Sequence, residues 1–91
     1  MIVWQPCTLI WTHPAAATLD MLTARDPRMA ERIHAALGDY VLTGRGDVRP
    51  LHDRPEWRLR VGPWRVLFLL DTTRREVLVR ALANRRDVYR P

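Results

Sequence analysis

The sequence predicts an α+β fold in which two N-terminal helices pack on one face of a small antiparallel sheet, in the order β-α-α-β-β-β. Two observations predict it. Apolar residues recur at intervals of three and four over residues 14–43, as in amphipathic helices. Apolar and charged residues then alternate over residues 57–70 and 76–83, as in strands with one buried face. Because 91 residues suit one domain, we expect residues 1–91 to form a single unit.

The first strand and the first helix are expected at the beginning of the chain. The run Cys7-Thr8-Leu9-Ile10-Trp11 has a strand-like composition, and Pro6 before it suits the start of a strand. Pro14 fits the first turn of a helix that ends near Arg25. The apolar stripe of this helix consists of Ala15, Leu19 and Leu22.

The second helix has clear signals at both ends. Asp26 is a good N-cap and Pro27 fits the first helical position. Gly44 and Gly46 end the helix. Its apolar stripe is long and consists of Met29, Ile33, Leu37, Tyr40 and Val41.

The pair Gly62-Pro63 lies between two strand-like runs and predicts a β-hairpin with a two-residue loop. This loop length places Arg60 opposite Arg65 and Trp57 opposite Phe68. One face of the hairpin is then apolar, and the other carries the guanidinium groups of Arg58, Arg60 and Arg65. Two like charges directly opposite each other destabilise a sheet, so we expect an anion beside Arg60 and Arg65.

The segments on either side of the hairpin are less regular. Residues 45–56 contain two prolines and no periodicity, which indicates a surface loop. Residues 76–83 form the last strand, after a turn at residues 71–74. A turn loop of two or four residues would pair Phe68 with Val77 and Arg65 with Arg80, which would add Arg80 to the arginine face. A loop of three residues would place Arg80 on the opposite face.

Positive charge is concentrated in the second half of the chain. Residues 1–44 contain three arginines and four acids, a net charge of −1, whereas residues 45–91 contain twelve arginines and six acids, a net charge of +6. This asymmetry indicates a polyanion or an acidic protein as partner. All fifteen basic residues are arginine, which codon bias explains as well as selection for guanidinium chemistry does.

Composition also limits the class of protein. Charged residues make up 27% of the chain and no apolar run is long enough to span a bilayer, so we expect a cytoplasmic protein without a membrane partner. The single cysteine, Cys7, rules out an internal disulfide and a thiolate cluster. The three histidines are not spaced as metal ligands, and we expect no metal or cofactor.

Three segments carry a resemblance to a known family. The runs Trp57-Arg58-Leu59-Arg60-Val61, Trp64-Arg65-Val66-Leu67-Phe68 and Asn84-Arg85-Arg86-Asp87-Val88-Tyr89, with the order of elements, resemble the RelE/ParE superfamily of bacterial toxins. The resemblance covers the chain from about Thr12 onward. It implies a ribosome-dependent endoribonuclease that cleaves mRNA, and a cognate acidic antitoxin that silences it in a heteromeric complex.

The resemblance also implies which residues act on RNA. Matched by motif, the catalytic positions of the RelE branch fall on Arg58, Arg60, Arg65, Arg85 and Tyr89. We further expect Arg80, Arg86 and His52 to contact RNA. The second strand carries arginines where the better-studied ribonucleases of this family tend to have lysine, and arginine does not act as a general base. His52, in the loop before the hairpin, is the candidate to replace the lysine as base, because histidine is the side chain most often used for proton transfer at neutral pH.

The chemistry that these residues fit is metal-independent cleavage by the 2′-hydroxyl of the RNA. Guanidinium groups aimed at the phosphate stabilise the charge of the transition state, a role we assign to Arg60 and Arg65. Arg85 would stabilise the leaving oxygen, and Tyr89 would stack on a base or help move the 2′ proton. Three other interpretations stay open: a solvated sheet face, a ParE-like gyrase inhibitor without catalysis, and an inactive toxin-like module that binds an antitoxin.

Overall fold

The computed structural model describes residues 3–85, which form two α-helices and five β-strands. The predicted order of elements is confirmed, with one short strand added between the second helix and the hairpin. The elements are β1 (Thr8–Trp11), α1 (His13–Arg25), α2 (Pro27–Thr43), β2 (Val48–Pro50), β3 (Trp57–Val61), β4 (Trp64–Asp71) and β5 (Glu76–Asn84).

The five strands form one mixed sheet in the order β1-β5-β4-β3-β2. Strand β1 runs parallel to β5, whereas the other neighbours are antiparallel, so the sheet is not antiparallel throughout as the sequence predicted. Strand β2 lies inside the segment that was predicted to be a loop. It has only three residues and ends with Pro50 at the edge of the sheet, where the missing N–H of proline disrupts little.

Both ends of α2 follow the sequence signals. The Asp26 side chain accepts a hydrogen bond from the backbone N–H of Met29 at 3.2 Å, as an N-cap does. Gly44 ends the helix with a φ of 76°, a left-handed conformation that favours glycine. A Cβ at Gly44 would lie 2.7 Å from ring atoms of Trp4, so the indole packs where only glycine leaves room.

The core lies between the two helices and one face of the sheet. The apolar face predicted for the hairpin is confirmed, since Leu59, Val66 and Phe68 are almost completely buried. The ring of Phe68 lies 5.2 Å from that of Tyr40 on α2, measured between centroids. The core includes Ala15, Leu19, Leu22, Met29, Ala30, Ile33, Leu37, Tyr40, Val41, Leu59, Val61, Val66, Phe68, Val77, Val79 and Leu82. The opposite face of the sheet carries the arginines of β3 and β4.

The register of the β3–β4 hairpin is the predicted one. Arg60 lies opposite Arg65, and Trp57 lies opposite Phe68. Gly62 has a φ of 58°, which suits the first position of the two-residue turn.

The predicted register between β4 and β5 is wrong. Phe68 pairs with Val79 rather than Val77, and Arg65 pairs with Ala83 rather than Arg80. The turn loop spans residues 72–75, and the Asp71 carboxylate accepts a hydrogen bond from the backbone N–H of Arg74 at 2.9 Å. The loop thus lies one residue further along the chain than the turn predicted at residues 71–74, which shifts the pairs next to it by two positions.

A β-bulge opposite Leu67 and Phe68 adds a further shift between β4 and β5. Leu67 pairs with Ala81 and Phe68 pairs with Val79, so Arg80 is the extra residue of β5. No helix in the described part of the chain is long and apolar enough to cross a membrane.

Candidate functional site

A polar cleft of about 210 Å³ lies beside the turn of the β3–β4 hairpin. Its lining consists of Arg60, Gly62, Pro63, Arg65 and Arg85. Three of the five arginine and tyrosine positions predicted to be catalytic therefore meet at one place. The cleft provides room for a phosphodiester group.

Three elements bring these arginines together. Arg60 near the end of β3 and Arg65 near the start of β4 are direct partners across the hairpin, next to the turn. Strand β5 ends where Asn84 pairs with Trp64. The backbone N–H of Arg85 then donates a hydrogen bond to the carbonyl oxygen of Pro63 at 2.7 Å, which holds Arg85 against the turn.

An internal carboxylate partly balances the positive charge. Asp47, the residue before β2, places Oδ2 3.0 Å from Nε of Arg60 and Oδ1 3.4 Å from Nη1 of Arg58. The Asp47 carboxylate therefore supplies part of the negative charge that the sequence predicted beside Arg60 and Arg65. The side chain of Arg58 is only 14% exposed and does not line the cleft, whereas that of Arg60 is 56% exposed.

Asp47 was not among the predicted site residues, because the sequence gives no clear signal for β2. In the antiparallel ladder Val48 lies opposite Leu59, which brings the preceding residue, Asp47, to Arg60. The backbone N–H of Arg60 also donates to the carbonyl oxygen of Asp47 at 3.0 Å. An acidic residue next to a three-residue strand that contains proline has no periodic pattern to mark it.

Arg32 was not among the predicted site residues either. This exposed residue of α2 places its guanidinium against the hairpin turn, since Nη2 lies 3.3 Å from the position of a Cβ on Gly62. A fourth arginine thus lies next to a residue that lines the cleft. The helical pattern gave no signal for this contact, because it depends on how α2 crosses the sheet.

Two predicted RNA contacts lie away from the cleft. Arg80 is exposed at the bulge of β5, three residues before the partner of Arg65. His52 lies in the loop that leads into the start of β3, at the opposite end of that strand from the cleft, and its side chain is almost fully exposed. Nε2 of His52 lies 3.6 Å from Oδ2 of Asp53. The predicted site residues Arg86 and Tyr89 lie outside the described residues.

The cleft suits binding of an anion with tetrahedral oxygens. Guanidinium groups stay protonated at all physiological pH values, and each can donate two parallel hydrogen bonds to a phosphate. Among the described residues that line the cleft, none accepts a proton at neutral pH. The cleft can therefore bind phosphate and stabilise its negative charge, and proton transfer requires a group beyond these residues.

No protein-family model matches the sequence, and the curated proteins contain no match either. Solved structures do match. A chain of the toxin–antitoxin complex RelBE2 from Mycobacterium tuberculosis superimposes with a TM-score of 0.75 and 24% identity, over 89% of this chain and 100% of that chain. The YoeB/ParE toxin from Agrobacterium tumefaciens has a TM-score of 0.71 and 19% identity, over 85% of this chain and 96% of that one.

A third structure extends the likeness beyond bacteria. The archaeal RelE–RelB complex from Pyrococcus horikoshii OT3 has a TM-score of 0.61 and 19% identity, over 89% of this chain and 97% of that chain. The protein is thus an α+β domain of the kind found in toxin–antitoxin toxins. More particularly, its fold is that of the RelE and YoeB/ParE toxin structures, so the resemblance found in its sequence is confirmed at the level of the fold.

Proposed function

We propose that this protein is the toxin of a type II toxin–antitoxin system and acts as a ribosome-dependent endoribonuclease on mRNA in the cytoplasm. The observation that carries the proposal is the convergence of Arg60, Arg65 and Arg85 on one cleft beside the turn of the β3–β4 hairpin. The fold shared with RelE and YoeB structures supports the same activity. A purely solvated arginine face would not require arginines from three elements to meet.

In the proposed reaction the 2′-hydroxyl oxygen of the RNA attacks the adjacent phosphorus. The new O–P bond closes a 2′,3′-cyclic phosphate, and the bond from phosphorus to the 5′ oxygen breaks to leave a 5′-hydroxyl. Arg60 and Arg65 stabilise the negative charge that accumulates on the phosphate oxygens, and Arg85 stabilises the leaving oxygen.

The attacking 2′-hydroxyl loses a proton and the leaving oxygen gains one. Arginine does not accept the first proton, because its pKa is too high. Tyr89 is the residue we propose to move it or to stack on the neighbouring base. The side chain of His52 could serve only if the RNA extends from the cleft along β3 to the loop that contains it.

The partner of this toxin is expected to be an antitoxin with an acidic segment. The chain has a net charge of +5, and the second half of the chain contributes the positive excess. Two of the similar structures are complexes of a toxin with its antitoxin, which supports a cognate partner here. An acidic segment laid over the cleft would neutralise the arginines and exclude RNA.

Induced expression in bacteria followed by mapping of RNA 5′ ends tests the proposal. We expect growth arrest and new 5′ ends inside codons for the wild type, and neither for Arg65→Ala. Arg74→Ala is the matched control, because Arg74 is exposed in the β4–β5 turn and its contact with Asp71 uses the backbone N–H. DNA damage with intact transcripts would support gyrase inhibition instead, and unaffected growth would support an inactive module.

A further inference from the structure

We propose that Asp47 is a positioning residue that orients the guanidinium of Arg60 toward the scissile phosphate, an inference that rests on the proposed function. The carboxylate of Asp47 divides its two oxygens between two arginines of one strand. Oδ2 lies 3.0 Å from Nε of Arg60, and Oδ1 lies 3.4 Å from Nη1 of Arg58.

The contact at Nε determines how Arg60 presents its remaining donors. A guanidinium is planar, with Nε on one edge and the two Nη atoms at its end. With Nε bound to Asp47, rotation of the plane is restricted and the Nη pair is reserved for a bidentate contact with phosphate. Since Arg60 is 56% exposed, its long side chain would otherwise sample many rotamers.

Asp47 is itself held in place by further contacts with β3. Its carbonyl oxygen accepts a hydrogen bond from the backbone N–H of Arg60 at 3.0 Å and lies 3.4 Å from Nη1 of Arg58. The side chain of Arg58 is 14% exposed, so it is packed more firmly than Arg60. Arg58 therefore fixes Asp47, and Asp47 fixes Arg60. This assigns Arg58 a supporting role instead of direct contact with RNA.

Asp47 has two opposing effects on the proposed reaction: its negative charge repels RNA, and its contact with Arg60 orients the guanidinium. A carboxylate beside the cleft repels the phosphate both in the ground state and in the transition state. The orientation of Arg60, in contrast, matters most where negative charge accumulates in the transition state. Removing the charge of Asp47 should therefore lower kcat without raising KM, which loss of a simple RNA contact would not do.

The test uses the purified full chain and ribosomes programmed with a short mRNA. For Asp47→Asn we expect kcat to fall by about 10- to 100-fold, as a small misplacement of a catalytic group does, while KM stays equal or decreases. Asp53→Asn is the matched control, because Asp53 is an exposed acid in the loop at the other end of β3 and its φ of 61° is one that asparagine tolerates. An unchanged or higher kcat, or a KM that rises, would overturn the proposal.

A second measurement separates this inference from the proposed function. Nuclear magnetic resonance of the arginine Nε–H groups reports the ion pair between Arg60 and Asp47 without any RNA. We expect a slowly exchanging Nε–H signal for Arg60 in the wild type and its loss in Asp47→Asn. A signal that persists in the variant overturns the positioning role. A signal that disappears, in a protein whose wild type leaves mRNA intact, supports the contact and rejects the nuclease function.

Discussion

The backbone N–H of Arg85 donates a hydrogen bond to the carbonyl oxygen of Pro63 across 2.7 Å. This bond continues the β4–β5 ladder one step beyond the pair Trp64–Asn84. Because the contact is between main-chain atoms, it places position 85 at the hairpin turn whatever the side chain. A substitution at Arg85 therefore removes the guanidinium and leaves this main-chain hydrogen bond in place.

Arg85→Ala should abolish the toxic activity and leave the fold intact. Loss of one positioned donor to a transition-state charge lowers kcat by about 10²- to 10³-fold, whereas an exposed surface change alters stability by roughly 0.5 kcal/mol or less. RNA cleavage and thermal unfolding of the purified variant measure the two effects. Arg80→Ala is the comparison, because Arg80 is exposed in β5 and does not line the cleft. Equal losses in both variants would contradict a specific role for Arg85.

Tyr89→Phe distinguishes two roles for a residue assigned from sequence. Phenylalanine keeps the ring for stacking and removes the hydroxyl. If Tyr89 moves the 2′ proton, cleavage in a single-turnover assay should fall by about 10²- to 10⁴-fold, the usual contribution of acid–base catalysis. Retained cleavage would confine Tyr89 to stacking, and Tyr89→Ala would then show the remaining loss.

Gly62→Ala should destabilise the hairpin turn beside the cleft. Gly62 has a φ of 58°, and an added Cβ would lie 3.3 Å from Nη2 of Arg32. We expect the free energy of unfolding to fall by about 1 to 2 kcal/mol, the usual penalty for a side chain in the left-handed region. Urea denaturation measures this change.

The matched control for Gly62→Ala is Gly38→Ala in the same chain. Gly38 lies within α2, and apart from its chain neighbours and the backbone of the helix itself a Cβ there would meet nothing within 4 Å. The same added methyl group should therefore stabilise the protein, by about 0.4 to 1 kcal/mol. A Gly62→Ala protein as stable as the wild type would indicate that the turn tolerates other conformations.

Tyr40 should make the protein less stable at alkaline pH. Burial raises the pKa of the Tyr40 hydroxyl, and the nearby Cys7 raises it further. Burial also raises the pKa of the Cys7 thiol, although Arg75 acts in the opposite direction. A raised folded pKa means that the unfolded chain loses its proton first, so stability is retained below the unfolded pKa of about 10 for tyrosine and decreases as the pH rises through the folded pKa.

Urea denaturation between pH 8 and pH 11 measures this effect. Tyr40→Phe removes the hydroxyl and keeps the ring that packs against Trp4 and Phe68. We expect this variant to lose less stability with rising pH than the wild type, each compared with its own value at pH 8. An identical decrease in both proteins would assign the alkaline instability to other groups.

The sequence predicted the half of the site that depends on local turn chemistry. Gly62-Pro63 permits only a short loop, so the pairing of Arg60 with Arg65 followed directly from it. The two ends of α2 could also be predicted, because Asp26 and Gly44 act through contacts within a few residues. These predictions succeeded because each depends on neighbours in the chain.

The rest depended on contacts that no local pattern marks. Strand β2 is too short to show alternation, and without it Asp47 had no place beside Arg60. The position of Arg80 required both the closure of the turn at Asp71 and the bulge in β5. A bulge adds one residue without altering composition, so the alternating pattern of β5 did not reveal it.

The bulge also identifies a place where the chain can lose a residue. Arg80 has no partner position in the ladder between the pairs Leu67–Ala81 and Phe68–Val79. Deletion of codon 80 would leave every other pair in place, and Asn84 would still meet Trp64. Deletion of codon 83 would instead bring Asn84 opposite Arg65 and Arg85 opposite Trp64, so the pairs next to the hairpin turn would all change. A deletion within this strand should thus preserve the pairing with β4 at codon 80 and shift it at codon 83.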